Sequence, residues 1–396
     1  MTAAFAELPE AVPEREVTFL HTADWQLGMT RHFLAGQAQH TYDAARLDAV
    51  VAIGELAGRT GAEFVVVCGD VFDDPRVSSQ VIRRTLDALA GYPVPVYLLP
   101  GNHDPADATS IYRSATFQAA CPGTVHVLDH AGPVRVRDGI TLIAAPWASK
   151  KPTEDLIAQQ LTRLAPGDDI RIVVGHGGLD TLSPSDDPAI VATDGLERAV
   201  DEALVDYVAL GDRHSVTAVG RSERIWYAGA PEVTAFDHVE AGSGHVLEVS
   251  LRRGAERAVD VTEHRVGRWS FRTVLDQVDG AADLQRLRDR LSAIPDKSRT
   301  VVQLGLVGSI GLAEQAQFEA LLDEFGDHFA ALKLWERKHQ LTVVADPTEV
   351  SGLGLTGYAA EAAAELAERA EGPDPGDAAA ARAALGLLFR LAGGAR

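Results

Sequence analysis

The chain has 396 residues, of which 46% are hydrophobic and 23% charged, a composition typical of a globular protein and not of a disordered one. This length exceeds that of one ordinary hydrophobic core and favours two domains with an appendage. The formal net charge of −21 opposes nucleic-acid binding through bulk electrostatic attraction.

The sequence carries no signal for export, membrane insertion or disulfide formation. No apolar run approaches the roughly 18 residues that span a bilayer. Residues 1–16 lack the basic and apolar regions of a signal peptide. Cys68 and Cys121 are too far apart for a CxxC metal site and too few for a disulfide framework. We therefore expect a cytoplasmic protein with no membrane association.

Short apolar runs alternate with amphipathic stretches in the first part of the chain, which indicates an α/β layered structure. Helices are predicted at about 42–59 and 79–89. Strands are predicted at 17–20, 64–67, 94–99, 140–144, 172–174, 207–210 and 245–249. The polar clusters begin where these strands end, which is the usual place for a site in such folds.

The pattern changes from about residue 265. A strand-helix-strand-helix-strand order without His, Asp or Asn clusters is predicted over 269–274, 282–294, 300–307, 312–325 and 340–344. A Gly-rich break at 351–357 then leads into alanine-rich helical segments at 359–370 and 377–391. The predicted organisation is a first domain at 17–260, a second domain at 265–347, and a linker with C-terminal helices at 348–396.

The last helix is a candidate partner-binding element. Helical spacing places four of its side chains on one side, namely Ala381, Ala384, Leu385 and Leu388. An equally open alternative is that this side packs on the helix's own domain.

Five polar clusters follow one another, each at a predicted strand end: Asp24-Trp25-Gln26, Gly69-Asp70, Gly101-Asn102-His103-Asp104, Gly175-His176 and Gly211-Asp212-Arg213-His214. Each alone is a weak signal, because Gly-Asp is a common turn and a single histidine is more often structural. Together they offer the convergent oxygen and nitrogen donors that a metal ion needs, with glycines that permit tight turns. The set predicts a metal centre.

These clusters resemble the motifs of calcineurin-like metallophosphoesterases, which are D-x-H, G-D, G-N-H-D, G-H and G-H-x-H. The stretches at 21–28, 69–73 and 97–104 are more narrowly similar to SbcD-type exonuclease subunits of DNA repair. The resemblance implies a two-sheet β-sandwich flanked by helices, followed by a smaller α+β capping domain and C-terminal helices. It covers about residues 17–250 through the motifs and the following domain more loosely.

Carried over position by position, the resemblance implies two divalent metal ions that share Asp70 as a bridge. The first ion would be held by Asp24, Gln26, Asp70 and His214. The second ion would be held by Asp70, Asn102, His176 and Asp212. His103 would protonate the leaving oxygen or stabilise charge on the phosphate, with Asp104 orienting the ring.

Two positions depart from the family pattern. Gln26 stands in place of the histidine of D-x-H, and Asp212 in place of the first histidine of G-H-x-H. Both can still ligate through oxygen, and one change falls on each ion. The oxygen-rich, more anionic site favours Mn²⁺, with Mg²⁺ or Fe²⁺ as alternatives, over Zn²⁺. A decayed and inactive site is the competing explanation.

Three functions remain open. The preferred one is a DNA-repair nuclease working beside an SbcC-like coiled-coil ABC-type ATPase, with a homodimer as a further option. Arg31, His32 and Arg213 are its candidate phosphate-binding side chains, although ordinary solvated charges are an equal alternative. The others are a small-molecule phosphodiesterase or pyrophosphatase, favoured by the net charge, and a catalytically weakened scaffold subunit. The nuclease is preferred because metal ions and a partner can supply the positive charge that this chain lacks.

Overall fold

A computed structural model describes residues 14–254, 256–343 and 355–393 of the chain. The chain divides into two units, Met1–Trp269 and Ser270–Arg396. The division falls later than the predicted gap between 260 and 265, and the C-terminal helices group with the second unit. Most of the predicted Gly-rich break at 351–357 lies outside the described residues. None of the helices in the described part of the chain is long and apolar enough to cross a membrane.

The first sheet of the first unit is built from β1 (Arg15–Thr22), β2 (Val65–Cys68), β3 (Val96–Leu99), β4 (Val125–Val127), β11 (His245–Arg253) and β12 (Arg257–Arg265). Its strand order is β12-β11-β1-β2-β3-β4. The strands from β1 to β4 are parallel, whereas β11 and β12 extend the sheet antiparallel beyond β1. All residues of β2 and β3 are buried, as expected for parallel strands covered on both faces.

The second sheet is built from β5 (Gly132–Arg137), β6 (Ile140–Ala144), β7 (Ile170–His176), β8 (Tyr207–Gly211), β9 (Thr217–Val219) and β10 (Ile225–Tyr227). Its strand order is β5-β6-β7-β8-β10-β9. The four inner strands are parallel, and β5 and β9 close the edges in antiparallel pairing.

Hydrophobic packing arranges these sheets and five helices in four layers. The helices are α1 (Gln37–Thr60), α2 (Ser79–Ala90), α3 (Ala115–Ala120), α4 (Leu156–Leu161) and α5 (Thr193–Asp201). One apolar cluster joins α1, α2 and α3 to the first sheet, a second lies between the sheets, and a third joins α4 and α5 to the second sheet. The predicted two-sheet sandwich flanked by helices is thus confirmed.

The second unit has a small parallel sheet centred on its longest strand. Its strands are β13 (Ser270–Gln277), β14 (Thr300–Ile310), β15 (Ala331–Leu334) and β16 (Gln340–Val343). β13 pairs along one side of β14, and β15 and β16 pair with successive parts of the other side. The helices are α6 (Ala281–Ser292), α7 (Leu312–His328), α8 (Tyr358–Ala370) and α9 (Pro375–Gly393).

The last helix packs within its own unit. Ala381 and Leu385 are buried in a cluster with Leu312 of α7 and Ala370 of α8. The side of α9 that was a candidate for partner binding is therefore covered in part by the second unit. Leu387 on the same helix is 49% exposed.

Candidate metal centre

The loops after β1 and β2 hold three donor side chains in left-handed backbone conformations. The φ angles of Asp24, Gln26 and Asp70 are 53°, 43° and 54°, a region that is costly for residues other than glycine. Two backbone hydrogen bonds join the loops. The Asp24 N–H donates to the Gly69 carbonyl at 3.1 Å, and the Gln26 N–H donates to the Asp70 carbonyl at 2.8 Å. The strained turns thus place three donors at adjacent strand ends.

Two glycines allow the two sheets to approach each other behind these loops. A Cβ atom on Gly69 would overlap the ring of His176, and one on Gly211 would overlap the Cys68 carbonyl. The carboxyl ends of β2, β7 and β8 can therefore meet closely, and ligands from both sheets share one site.

His176, the last residue of β7, is oriented by its backbone neighbour. Its Nδ1 atom lies 2.8 Å from the Cys68 carbonyl oxygen, so Nδ1 carries the proton and donates. In the neutral ring Nε2 is then left as the acceptor, and it lies 3.5 Å from the Asp70 carboxylate. This is the arrangement by which a metal-binding histidine is normally held.

The amide oxygen of Asn102 faces only other acceptors. It lies 2.8 Å from His176 Nε2 and 3.0 and 3.1 Å from the two carboxylate oxygens of Asp70. Rotation of the amide would relieve this crowding, and so would a cation placed among the acceptors. Because Asp24, Asp70 and His176 offer buried ligand atoms within 4.8 Å of one another, the donor set fits a divalent metal ion.

Asp212 joins this group from the end of β8. Its backbone N–H donates to both carboxylate oxygens of Asp24, at 3.1 and 3.2 Å. Its own carboxylate lies 3.7 Å from His176 Nε2, and its φ of 98° is again a strained value. The structure therefore brings Asp212 to the same acceptor cluster as Asp70, Asn102 and His176.

Gln26 and His214 lie next to each other, with the Gln26 amide nitrogen facing the His214 ring. The Gln26 amide nitrogen, not its oxygen, lies 3.1 Å from His214 Nε2. The amide oxygen is buried without a hydrogen-bond partner among the described residues. The predicted ligand atom of Gln26 is therefore turned away from His214, and rotation of the amide would exchange the two atoms.

His214 is held by two residues that the motifs do not contain. Its Nδ1 lies 2.6 Å from the Thr234 hydroxyl oxygen, which donates to the Glu240 carboxylate at 2.5 Å. The Glu240 carboxylate is also 3.4 Å from His214 Nδ1. Neither Thr234 nor Glu240 lies in a recognisable pattern, so sequence reasoning had no local signal for them.

The electrostatics of the site show an excess of buried carboxylates. Burial raises the pKa of Asp24 to about 7, against the opposing effect of the His214 and His176 rings. Burial by itself would lower the pKa of His176, but the surrounding carboxylates, led by Asp70 and Asp212, outweigh it and raise that pKa to about 9. A divalent cation would stabilise the ionised carboxylates that burial disfavours.

His103 follows β3 at the rim of the site, with a side chain that is 41% exposed. Its backbone N–H donates to Asp70 at 2.9 Å, and its Nδ1 lies 2.6 Å from the Asp73 carbonyl oxygen. The prediction that Asp104 orients the His103 ring is wrong. Asp104 is buried and accepts from the Gly101 N–H, the Phe72 N–H and the Tyr112 hydroxyl. It braces the loop, and the Asp73 carbonyl orients the ring.

The three candidate phosphate-binding residues fall in different places. Arg31 and Arg213 line a cavity that also contains Asp212 and His214. His32 is exposed, packs edge-on against Phe33, and does not line that cavity. The structure therefore groups two of the three with the metal centre.

Sequence comparison finds similarity to subunits of bacterial nucleases. The chain is similar to the SbcD component of the SbcCD nuclease of Rhodobacter capsulatus, with 26% identity over 254 residues, 54% of this chain and 61% of the relative. Its Escherichia coli K12 counterpart is 26% identical over 276 residues, 61% of this chain and 66% of the relative. The alignments thus span less than two thirds of these relatives.

Among solved structures, a dimetal phosphatase from Danio rerio aligns with 65% of this chain and 100% of its own, with a TM-score of 0.37 and 13% identity. The family model of calcineurin-like phosphoesterases matches residues 17–234. That range exceeds half of the chain and contains every candidate ligand described above. The chain therefore belongs to the calcineurin-like phosphoesterase family.

Proposed function

We propose that the chain is a DNA-repair nuclease that hydrolyses phosphodiester bonds with two divalent metal ions, Mn²⁺ foremost. The observation that carries the proposal is the convergence of Asp24, Asp70, Asn102 and His176 on one buried cluster of acceptors. The similarity to the SbcD components of SbcCD nucleases supports DNA as the substrate within the phosphoesterase family.

The proposed ligand sets meet at Asp70. One ion would be held by Asp24, Gln26, Asp70 and His214, and the other by Asp70, Asn102, His176 and Asp212. When bound, the ions would supply a more acidic water and neutralise charge on the phosphate. The Gln26 amide must turn to offer its oxygen, which is compatible with the absence of a partner for that oxygen among the described residues.

His103 is the proposed general acid. Its Nδ1–H donates to the Asp73 carbonyl at 2.6 Å, so proton exchange takes place at Nε2. The side chain is exposed at the rim of the site, where it is accessible to a leaving oxygen. Loss of the proton from Nε2 would leave the ring neutral and still held by the Asp73 carbonyl.

The proposed partner is an SbcC-like coiled-coil ATPase, and a second copy of the chain is a further candidate. With a net charge of −21, the chain alone repels a DNA backbone. A partner that contributes DNA-binding surface would remove this difficulty, and the names of the relatives describe one component of a larger nuclease.

The second candidate is a phosphodiesterase acting on small nucleotides, and the net charge favours it because such substrates need no extended basic surface.

One experiment separates these functions. Purified protein should be incubated with Mn²⁺, Mg²⁺, Fe²⁺ or Zn²⁺ in turn. The substrates are labelled single- and double-stranded DNA and bis(p-nitrophenyl) phosphate. Cleavage of DNA with Mn²⁺ supports the nuclease, whereas turnover of the aryl ester alone supports the small-molecule enzyme. Metal binding without turnover of any substrate would support the third hypothesis, a catalytically weakened scaffold subunit.

A further inference from the structure

A cavity of about 370 Å³ opens beside the candidate metal centre, between the turn at 179–183 and the segment at 234–240. Asp212 and His214, which belong to the proposed ligand sets, form part of its wall. Its volume lies in the range of about 300–1,000 Å³ that small-ligand sites occupy. A group bound in this cavity would therefore lie next to the reacting phosphate.

The lining of the cavity includes exposed aliphatic side chains. Leu182 is 38% exposed and Val239 is 69% exposed. Among the described residues of the first unit, Val51 is the only other large hydrophobic side chain that is comparably exposed. Two of three such side chains thus face the same cavity, a concentration typical of a ligand-binding surface.

Two arginines complement this aliphatic surface. The Arg31 guanidinium donates to the Thr234 carbonyl, and its Nε is buried without a partner among the residues that the structure describes. Arg213 donates from Nε to the Thr217 hydroxyl at 2.9 Å. Both side chains are anchored where they line the cavity, so each can present a guanidinium to a phosphate at little cost in ordering.

We propose that this cavity binds one unpaired nucleoside of a DNA strand, adjacent to the scissile phosphate. The base lies against Leu182 and Val239, and the phosphates attached to the nucleoside lie at Arg31 and Arg213. This inference rests on the proposed function. The cavity is large enough for a single nucleoside, and a base that enters it must leave its stack, so we expect a paired end to fray before it binds. Aliphatic walls contact the face of a base and do not read its edge, so binding tolerates all bases.

The direct test is binding of thymidine 5′-monophosphate and of inorganic phosphate to the full chain, measured by calorimetry with and without Mn²⁺. We expect the nucleotide to bind at least roughly tenfold more tightly than phosphate. The double variant Leu182→Asp with Val239→Asp should lose that difference. Leu275→Asp, at a 51% exposed position of the second unit, should retain it. Equal binding of the two ligands to the unaltered protein, or an unaffected double variant, would overturn the proposal.

A pair of substrates separates this inference from the proposed function. Thymidine p-nitrophenyl phosphate and methyl p-nitrophenyl phosphate share a leaving group and differ only in the nucleoside. We expect a higher kcat/KM for the nucleoside ester, and the double variant should bring it down roughly tenfold, towards that of the methyl ester. If neither ester nor DNA is hydrolysed, the proposed function fails. The calorimetry still shows whether the cavity binds the nucleoside. Cleavage of a clamped blunt duplex as fast as a frayed one would overturn the requirement for an unpaired nucleoside.

Discussion

The Nδ1 atom of His214 lies 2.6 Å from the hydroxyl oxygen of Thr234, and that hydroxyl donates to the buried Glu240 carboxylate at 2.5 Å. Glu240 also accepts from the Thr234 backbone N–H at 2.9 Å. Two hydrogen bonds therefore hold Thr234 against Glu240, and we call the chain from His214 through Thr234 to Glu240 the relay. The ring of His214 is thereby oriented with Nε2 towards Gln26. A carboxylate behind a histidine in this way raises the basicity of the ring as a ligand.

Glu240→Gln should therefore weaken metal binding without unfolding the protein. We expect a loss of about 10–100-fold in the affinity of one Mn²⁺ ion, the usual effect of removing such a supporting group. Calorimetry or electron paramagnetic resonance of bound Mn²⁺ would measure it. The matched control is Glu248→Gln, because Glu248 makes a 2.7 Å contact with His264 on β11 and β12. An unchanged affinity in the Glu240 variant would mean that the relay does not support a ligand.

Asp70→Ala should remove both metal ions and all phosphodiesterase activity, because Asp70 is the proposed bridge between the two ligand sets. Metal content after dialysis against Mn²⁺ gives a readout independent of turnover. Asp74→Ala is the control, since Asp74 lies a few residues further on and pairs with the exposed Arg76. Retention of one full equivalent of Mn²⁺ by the Asp70 variant would show that this residue does not bridge.

His103→Ala should leave both metals bound and slow hydrolysis of DNA by roughly 10²–10⁴-fold, the range expected for loss of a general acid. The loss should be much smaller for a p-nitrophenyl ester, whose leaving group needs little protonation. Asp73→Asn should have a modest effect, because Asp73 holds the His103 ring through its backbone carbonyl. An equal loss on both substrates would assign His103 a role other than proton donation.

The sequence predicted the strands that carry the ligands because those strands are continuous apolar runs, such as the fully buried β2. The strands it missed include β5 and β12, whose residues are half-buried or exposed. The residues of β12 form a strand through pairing with β11 along its whole length, and a neighbour of this kind is not visible in local periodicity.

The ligand clusters were predictable because each is contiguous and follows a strand. The supporting groups were not, since Glu240 reaches His214 through a separate loop and Asp73 acts through a backbone carbonyl. The error over Asp104 has the same origin. Adjacency to His103 in the sequence suggested a contact, whereas the turn directs the Asp104 carboxylate back to the Gly101 N–H.

Gln26→His combined with Asp212→His tests whether these two positions ligate metal. The double variant replaces two oxygen donors by nitrogen and removes one carboxylate, which should shift the preference from Mn²⁺ towards Zn²⁺. Competition between the two ions, followed by metal analysis of the dialysed protein, reports the shift without any assay of activity. An unaltered preference would mean that neither side chain contacts a metal, and highest turnover of the unaltered protein with Zn²⁺ would contradict the expected Mn²⁺ requirement.

Two leucines on α9 provide a matched test of where the last helix belongs. Leu385 is fully buried and packs with Leu312 and Ala370, whereas Leu387 is 49% exposed. Leu385→Ala should lower the free energy of unfolding of the second unit by about 2–5 kcal/mol, because it opens a cavity in a packed cluster. Leu387→Ala should change it by less than about 0.5 kcal/mol. Urea unfolding followed by circular dichroism would measure both effects. Truncation after Thr356 should destabilise the unit further.

If Leu385→Ala and the truncated chain unfold like the unaltered protein, α9 does not belong to this core. The exposed side of α9 would still serve the proposed ATPase partner if Leu387→Asp weakened co-purification with that partner while leaving stability unchanged.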